Sequence, residues 1–224
     1  LVSITGRTPE EWRNKLQEIQ ERGIWETALF LEFYSPEEKQ KIYESLKDSC
    51  VKSIPLVHLR HDMAADEIKF LKKTFSVKYF TCHEENFVNG DVAHWKEFFP
   101  DIYLEMNVDG IVSPRVDVDA IGGFCIDLAH FKIDLENLNK DFEYVFTRKE
   151  KPIFLCNHLN GWNPETNMDM HTIHSLKNFD YLKTLPKFVF GNTIALEMFN
   201  SIAEQLEYKN YLEDLFRQKF VEKQ

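Results

Sequence analysis

Acids and histidines recur just behind the apolar runs of this sequence. Tyr-Leu-Glu-Met-Asn carries Glu105, and Gly-Phe-Cys-Ile-Asp-Leu-Ala-His carries Asp127 and His130. Cys-Asn-His-Leu-Asn carries His158, Met-Asp-Met-His carries Asp169 and His171, and Ala-Leu-Glu-Met-Phe carries Glu197. Earlier in the chain His58 and His61 follow one apolar run, and His83 with Glu84 and Glu85 follows another. Imidazole nitrogens and carboxylate oxygens are the ligands of Zn, Mn, Mg and Co ions. An ion with an open position polarises a substrate oxygen or activates water. Each residue alone has an ordinary reading: Asp127 as a helix cap, Glu197 as a solvated charge, and Cys125 and Cys156 as interior packing. The signal is their co-occurrence, since six of the eight histidines lie at or near such run ends.

The elements that must position these groups read as an alternation. Thr8-Pro9-Glu10-Glu11 and Ser35-Pro36-Glu37-Glu38 are helix starts, with a capping hydroxyl and Pro at the first helical position. Strands are predicted at Leu1 to Thr5, Glu26 to Tyr34, Ser53 to Leu59, Lys78 to Cys82, Asp101 to Met106, Gly123 to Leu128, Pro152 to His158 and within Phe188 to Met198. Helices are predicted from Asp66 to Phe75, at Trp95 to Phe99, from Asp134 to about Val145, around Phe179 to Leu185 and from Ser201 to Phe220. A long loop is expected to carry Trp162, Asp169 and His171. Near-continuous apolar strands suit a buried parallel sheet. Eight strand–helix units in 224 residues predict one (β/α)8 TIM barrel spanning residues 1–224. Asp127 and His130, three apart, reach one point only if the strand ends near Asp127 and the chain curls back. Ile4-Thr5-Gly6-Arg7-Thr8 lacks the phosphate-binding glycine pattern of a doubly wound sheet.

The order Glu, Asp-x-x-His, His, Asp-x-His, Glu on strands five to eight resembles the xylose isomerase-like barrels. These include sugar isomerases and epimerases and the abasic-site nuclease endonuclease IV. The likeness to sugar epimerases implies one divalent metal held by Glu105, Asp127, His158 and Glu197, with Glu105 and Glu197 also serving as the acid–base pair. His130 and Lys132 are then candidates for orienting substrate hydroxyls. The likeness to endonuclease IV implies up to three zinc ions and adds His58 or His61, His83, His130, Asp169 and His171. The expected activity is metal-assisted proton transfer next to the carbonyl of a sugar or sugar phosphate. The alternative is zinc-dependent phosphodiester hydrolysis at abasic DNA.

The formal net charge of −10 disfavours non-specific binding to polyanions, and the early strand–helix loops are short for gripping DNA. The sequence shows no apolar run long enough to span a bilayer. The four cysteines, Cys50, Cys82, Cys125 and Cys156, lack a disulfide-framework spacing, which suggests a reduced cytoplasmic protein. Nothing in the sequence sets an oligomeric state.

Overall fold

A computed structural model describes residues 1–89, 92–106, 116–139, 147 and 153–221. Eight parallel strands form one sheet in chain order: β1 (Ser3–Ile4), β2 (Ala28–Phe30), β3 (Leu56–His58), β4 (Tyr79–His83), β5 (Ile102–Met106), β6 (Gly123–Asp127), β7 (Phe154–Leu159) and β10 (Thr193–Leu196). Strict sequential neighbours mean that every crossover packs on one side, which is barrel rather than doubly wound topology. The seam between β1 and β10 is closed by Leu1, whose nitrogen donates to Ile194 O (2.6 Å) and whose carbonyl accepts from Leu196 N (2.9 Å). Gln205, on the last helix, clasps β1 by accepting from Ser3 N (2.7 Å) and donating to Ser3 O (3.2 Å).

The helices outside the sheet are α1 (Pro9–Glu21), α2 (Pro36–Lys47), α3 (Ala65–Phe75), α4 (Glu85–Asn89), α5 (Leu128–Asn137) and α6 (Ile202–Val221). The expected helix starts are formed: Thr8 caps α1 in a full capping box with Glu11, and Ser35 caps α2. Such a cap contributes ~1 kcal/mol. Two apolar clusters lie between the sheet and these helices. One is built on residues such as Ile4, Leu29, Val57 and Phe80, the other on Leu104, Phe124, Ile126 and Leu196. A third fills the barrel interior with Ala28, Phe30, Leu56, Tyr103, Cys125, Cys156 and Ala195.

Some expected elements differ. Most strands are shorter, so that β2 ends at Phe30 rather than near Tyr34, whereas β4 keeps its length and is shifted by one residue to end at His83. The helix expected from Asp134 begins at Leu128, because Asp127 is itself its N-cap. The stretches at Ala93–Asp101 and Leu176–Lys183 are 3-10 turns. The long loop contains an antiparallel hairpin, β8 (Gly161–Asn163) with β9 (Met168–Met170), which pairs Trp162 with Asp169. Val145 and Pro152 lie outside the described residues. The start of β6 requires glycine: Gly123 has φ +148°, and a Cβ there would stand 2.5 Å from Ile153 O. All four cysteines are free. No helix among the described residues is long and apolar enough to cross a membrane.

Candidate metal centre

Side chains alternate along a strand, so the residue two positions beyond each interior packing residue also faces inward. Beyond Phe30, Leu56, Tyr103, Cys125, Cys156 and Ala195 of the interior cluster stand Glu32, His58, Glu105, Asp127, His158 and Glu197. On β4 the same step leads from Thr81 to His83. One periodicity therefore turns an apolar barrel floor into a ring of metal-type ligands at the C-terminal mouth, where barrel sites are built. Phe30 forms the floor directly, with its ring 4.9 Å from that of His158 and 6.0 Å from that of His58.

The ligand atoms of Glu105, Asp127, His158 and Glu197 all lie within 4.8 Å of one another. His158 Nδ1 is 3.3 Å from Glu105 Oε1 and 3.2 Å from Glu197 Oε2. Asp127 is both cap and site residue. Its Oδ1 accepts from Ala129 N (2.8 Å) and His130 N (2.9 Å), while Asn160 Nδ2 donates to its Oδ2 (2.9 Å). The strand does end there, and the helix brings His130 Nδ1 back to 4.0 Å from Asp127 Oδ2. Two further groups meet the same 4.8 Å spacing: His58–Glu105–His158 and Glu32–His58–His83. Glu105 joins them, for its Oε2 lies 3.3 Å from His58 Nδ1 and 3.6 Å from His83 Nδ1. Glu32 Oε1 is 3.4 Å from His83 Nε2.

The donor set fits a cation. Glu105 Oε2, Glu197 Oε2, His158 Nδ1 and His58 Nε2 are buried and lack a hydrogen-bond partner, a costly state unless a ligand satisfies them. The other nitrogens of the two imidazoles share one hydroxyl: Thr81 Oγ1 is 3.1 Å from His58 Nδ1 and 3.0 Å from His158 Nε2. Fixing a ring through its second nitrogen is how proteins orient metal-binding histidines.

Without a cation the groups pair among themselves. Burial alone would raise the Glu105 pKa, but His83, His158 and His58 hold it well below the usual carboxylate range. Burial opposes charge on His83, yet Glu105 and Glu32 raise it to about 10. His58 goes the other way: burial prevails over Glu105 and lowers it to about 4. Burial raises Asp127, and the like charges of Glu197 and Glu105 add to it. Glu197 is lowered, because His158 and His171 outweigh its burial. Ligation needs neutral imidazoles, so cation entry displaces protons.

On the far side of Asp127, Asp169 Oδ2 lies 3.0 Å from His171 Nε2 and 3.9 Å from His130 Nε2. His171 Nδ1 is 3.1 Å from the Glu197 carbonyl oxygen, which turns Nε2 toward Asp169. This set is looser than the three groups above. Of the remaining candidates, His61 is exposed in the turn after β3. Lys132 stands two residues beyond His130 on α5, about 200° around the helix. Its ammonium pairs with Glu136 and lies 4.9 Å from the centre of the Trp162 ring.

Glu32, Thr81 and Asn160 are the members that the sequence reading passed over. Glu32 had a signal: Leu31-Glu32-Phe33 repeats the Leu-Glu-apolar pattern of Leu104-Glu105-Met106 and Leu196-Glu197-Met198. Thr81 had none, because its partners lie 23 and 77 residues away.

No protein-family model matches the chain, and a search of curated proteins returns no match. Among solved structures, a chain titled "Crystal Structure of SacUVDE" is similar over 91% of this chain and 84% of that one, at 15% identity and a TM-score of 0.48. On its own strand order and geometry, the chain is a parallel (β/α)8 barrel with a candidate metal centre at its mouth.

Proposed function

We propose that the barrel is a metal-dependent phosphodiesterase whose centre holds at least two divalent cations. The observation that carries this is Glu105: it turns Oε1 toward His158 and the inner group, and Oε2 toward His83 and toward the His58 nitrogen that Thr81 also holds. A carboxylate that divides its oxygens between adjacent ligand groups suits a bridge between two ions. Glu105, Asp127, His158 and Glu197 would hold the inner cation, and Glu105, His58 and His83, with Glu32 beside them, the outer one. Paired divalent cations lower the pKa of water and neutralise charge developing on phosphoryl oxygens. Glu197 would hold the inner cation through Oε2, which faces His158 Nδ1, and its other oxygen would accept the proton of the attacking water. The water oxygen bonds to phosphorus, the bond to the leaving oxygen breaks, and that oxygen takes a proton from solvent at the mouth. The resemblance to endonuclease IV makes an abasic DNA strand the first substrate to try.

A second reading, sugar isomerisation or epimerisation on a single metal, is favoured by a different observation. Glu105 and Glu197 flank His158 Nδ1 at 3.3 and 3.2 Å, as an acid–base pair about one substrate carbon would. Metal content and turnover on the same preparation separate the two. The phosphodiesterase reading expects two or more tightly held ions per chain and hydrolysis of bis(4-nitrophenyl) phosphate or an abasic oligonucleotide. One exchangeable ion together with aldose–ketose interconversion overturns it.

A further inference from the structure

We propose that Arg7, seated against the Phe33 and Phe199 rings, is a subsite for a second phosphate of the substrate, flanking the one that is cleaved. β1 differs from the other strands of the barrel. Its inward positions, Ser3 and Thr5, lead to Arg7 instead of an acid or histidine. The guanidinium carbon lies 4.8 Å from the centre of the Phe199 ring and 5.6 Å from that of Phe33. Those rings are 6.3 Å apart at 65°. Phe33 follows Glu32 directly, and the Phe199 ring lies 5.4 Å from the imidazole of His171. The arginine therefore stands at the mouth between the two outer ligand sets.

Its backbone is fixed as well, because Arg7 N donates to Glu11 Oε2 (2.5 Å), the carboxylate of the α1 capping box. The site around it is crowded with acids, yet among the described residues the Arg7 guanidinium pairs with no carboxylate. Stacking on aromatic rings engages a guanidinium's faces and leaves its N–H edges free. Those edges match two oxygens of one phosphate. An exposed cation kept in place by rings, with no acid to satisfy it, suits an anion delivered by the substrate. The two ligand groups that share Glu105 would handle the scissile phosphate, so the anion at Arg7 would be a neighbouring phosphate of the substrate strand or a terminal one.

This rests on the phosphodiesterase reading, and the test is arranged so that the two fail separately. The metal-loaded protein is given the dinucleotide TpT and its 5′-phosphorylated form pTpT. The expected kcat/KM for pTpT exceeds that for TpT about tenfold, mainly through KM. Arg7→Gln should bring the ratio close to one, while Arg7→Lys, which keeps charge but not the fork, retains about threefold. A wild-type ratio near one, or a ratio that Arg7→Gln leaves unaltered, overturns the subsite. If the wild type cleaves neither dinucleotide, phosphodiester hydrolysis loses its support and equilibrium binding to the metal-loaded protein decides the subsite. A tenfold tighter Kd for pTpT that Arg7→Gln abolishes supports it; equal Kd values for the two ligands overturn it.

Discussion

The two flanks of the Glu105–Asp127–His158–Glu197 core are built from different material. On one side Glu32, His58 and His83 come from the ends of the adjacent strands β2, β3 and β4. On the other, His130 comes from the first turn of α5, and Asp169 and His171 from the hairpin and the turn after it. The His58 side chain is 1% exposed and that of His83 20%, against 27% each for Asp169 and His171; Glu32, at 33%, is the exposed member of the first flank. His58 and His83 end strands that are hydrogen-bonded on both sides, which fixes their side chains before any ligand arrives, while Glu32 stands in the turn after β2. A hairpin outside the main sheet leaves its groups room to adjust. His58 and His83 are therefore the preformed part of one flank, whereas the hairpin side keeps room to adjust.

Removing the residue that both readings of the core need should have the largest effect. Glu105→Gln should cut phosphodiester turnover by about a thousandfold or more and remove at least one ion per chain, as loss of a shared ligand does. Asp169→Asn should cost only about 10–100-fold and leave the inner ions in place. Metal analysis beside kinetics checks both, and equal losses would mean that the core and the hairpin side matter alike to the reaction.

Thr81→Val probes the preformed flank without touching a ligand. Valine has the shape of threonine but leaves a nitrogen on each of His58 and His158 without its hydroxyl partner. Metal affinity should fall about tenfold with the fold retained. Titration with a competing chelator measures it, and unaltered affinity would mean that the two rings are held by packing alone.

The smallest effect is in pH. In the metal-free protein His83 and His171 are each raised to about 10, through Glu105 and Glu32 for the first and Asp169 and Glu197 for the second, in both cases against burial. A raised folded pKa means that this stabilisation is complete below the unfolded value near 6.5 and lost as pH rises through about 10. The metal-free Tm should fall by a few degrees across that window. With saturating metal the trend should reverse, because ligation requires the deprotonated rings. His83→Gln should flatten the metal-free slope more than His171→Gln, because Glu105, the main partner of His83, is buried, whereas Asp169, that of His171, is 27% exposed. A metal-free Tm that is level from pH 6.5 to 10 counts against the ion pairs.

Much of this was legible in the chain because strand parity is local. Once Phe30, Leu56 and Tyr103 are recognised as interior, the positions two residues on follow, and the alternation of apolar runs with capped helices specifies the barrel. Parity also separates His58 from His61: the first is in step with Leu56, and the second follows after the strand has ended. Glu32 was passed over because a strand drawn from Glu26 to Tyr34 buries it mid-element, whereas β2 ends at Phe30 and frees it. The early start of α5 was hidden because Asp127 reads as a ligand and serves as a cap too. Thr81 and Asn160 matter through residues far off in sequence, and no local pattern announces such partners. Lys132 looked close to His130 in sequence, but two helical residues point it toward Glu136 and Trp162.

The clasp of Gln205 on Ser3 has a consequence for how the protein is made. The contact spans 202 residues, and closing a loop of that length costs about 5 kcal/mol of chain entropy. During synthesis β1 can pair with β2 early, but its other edge has no neighbour until β10 and α6 have emerged. At roughly 5–20 residues per second that wait is about 10–40 s. Throughout it the nascent sheet carries an open strand edge, the kind of surface that pairs with other chains. The last helix thus ends the interval in which a chaperone or an aggregate competes for the first strand.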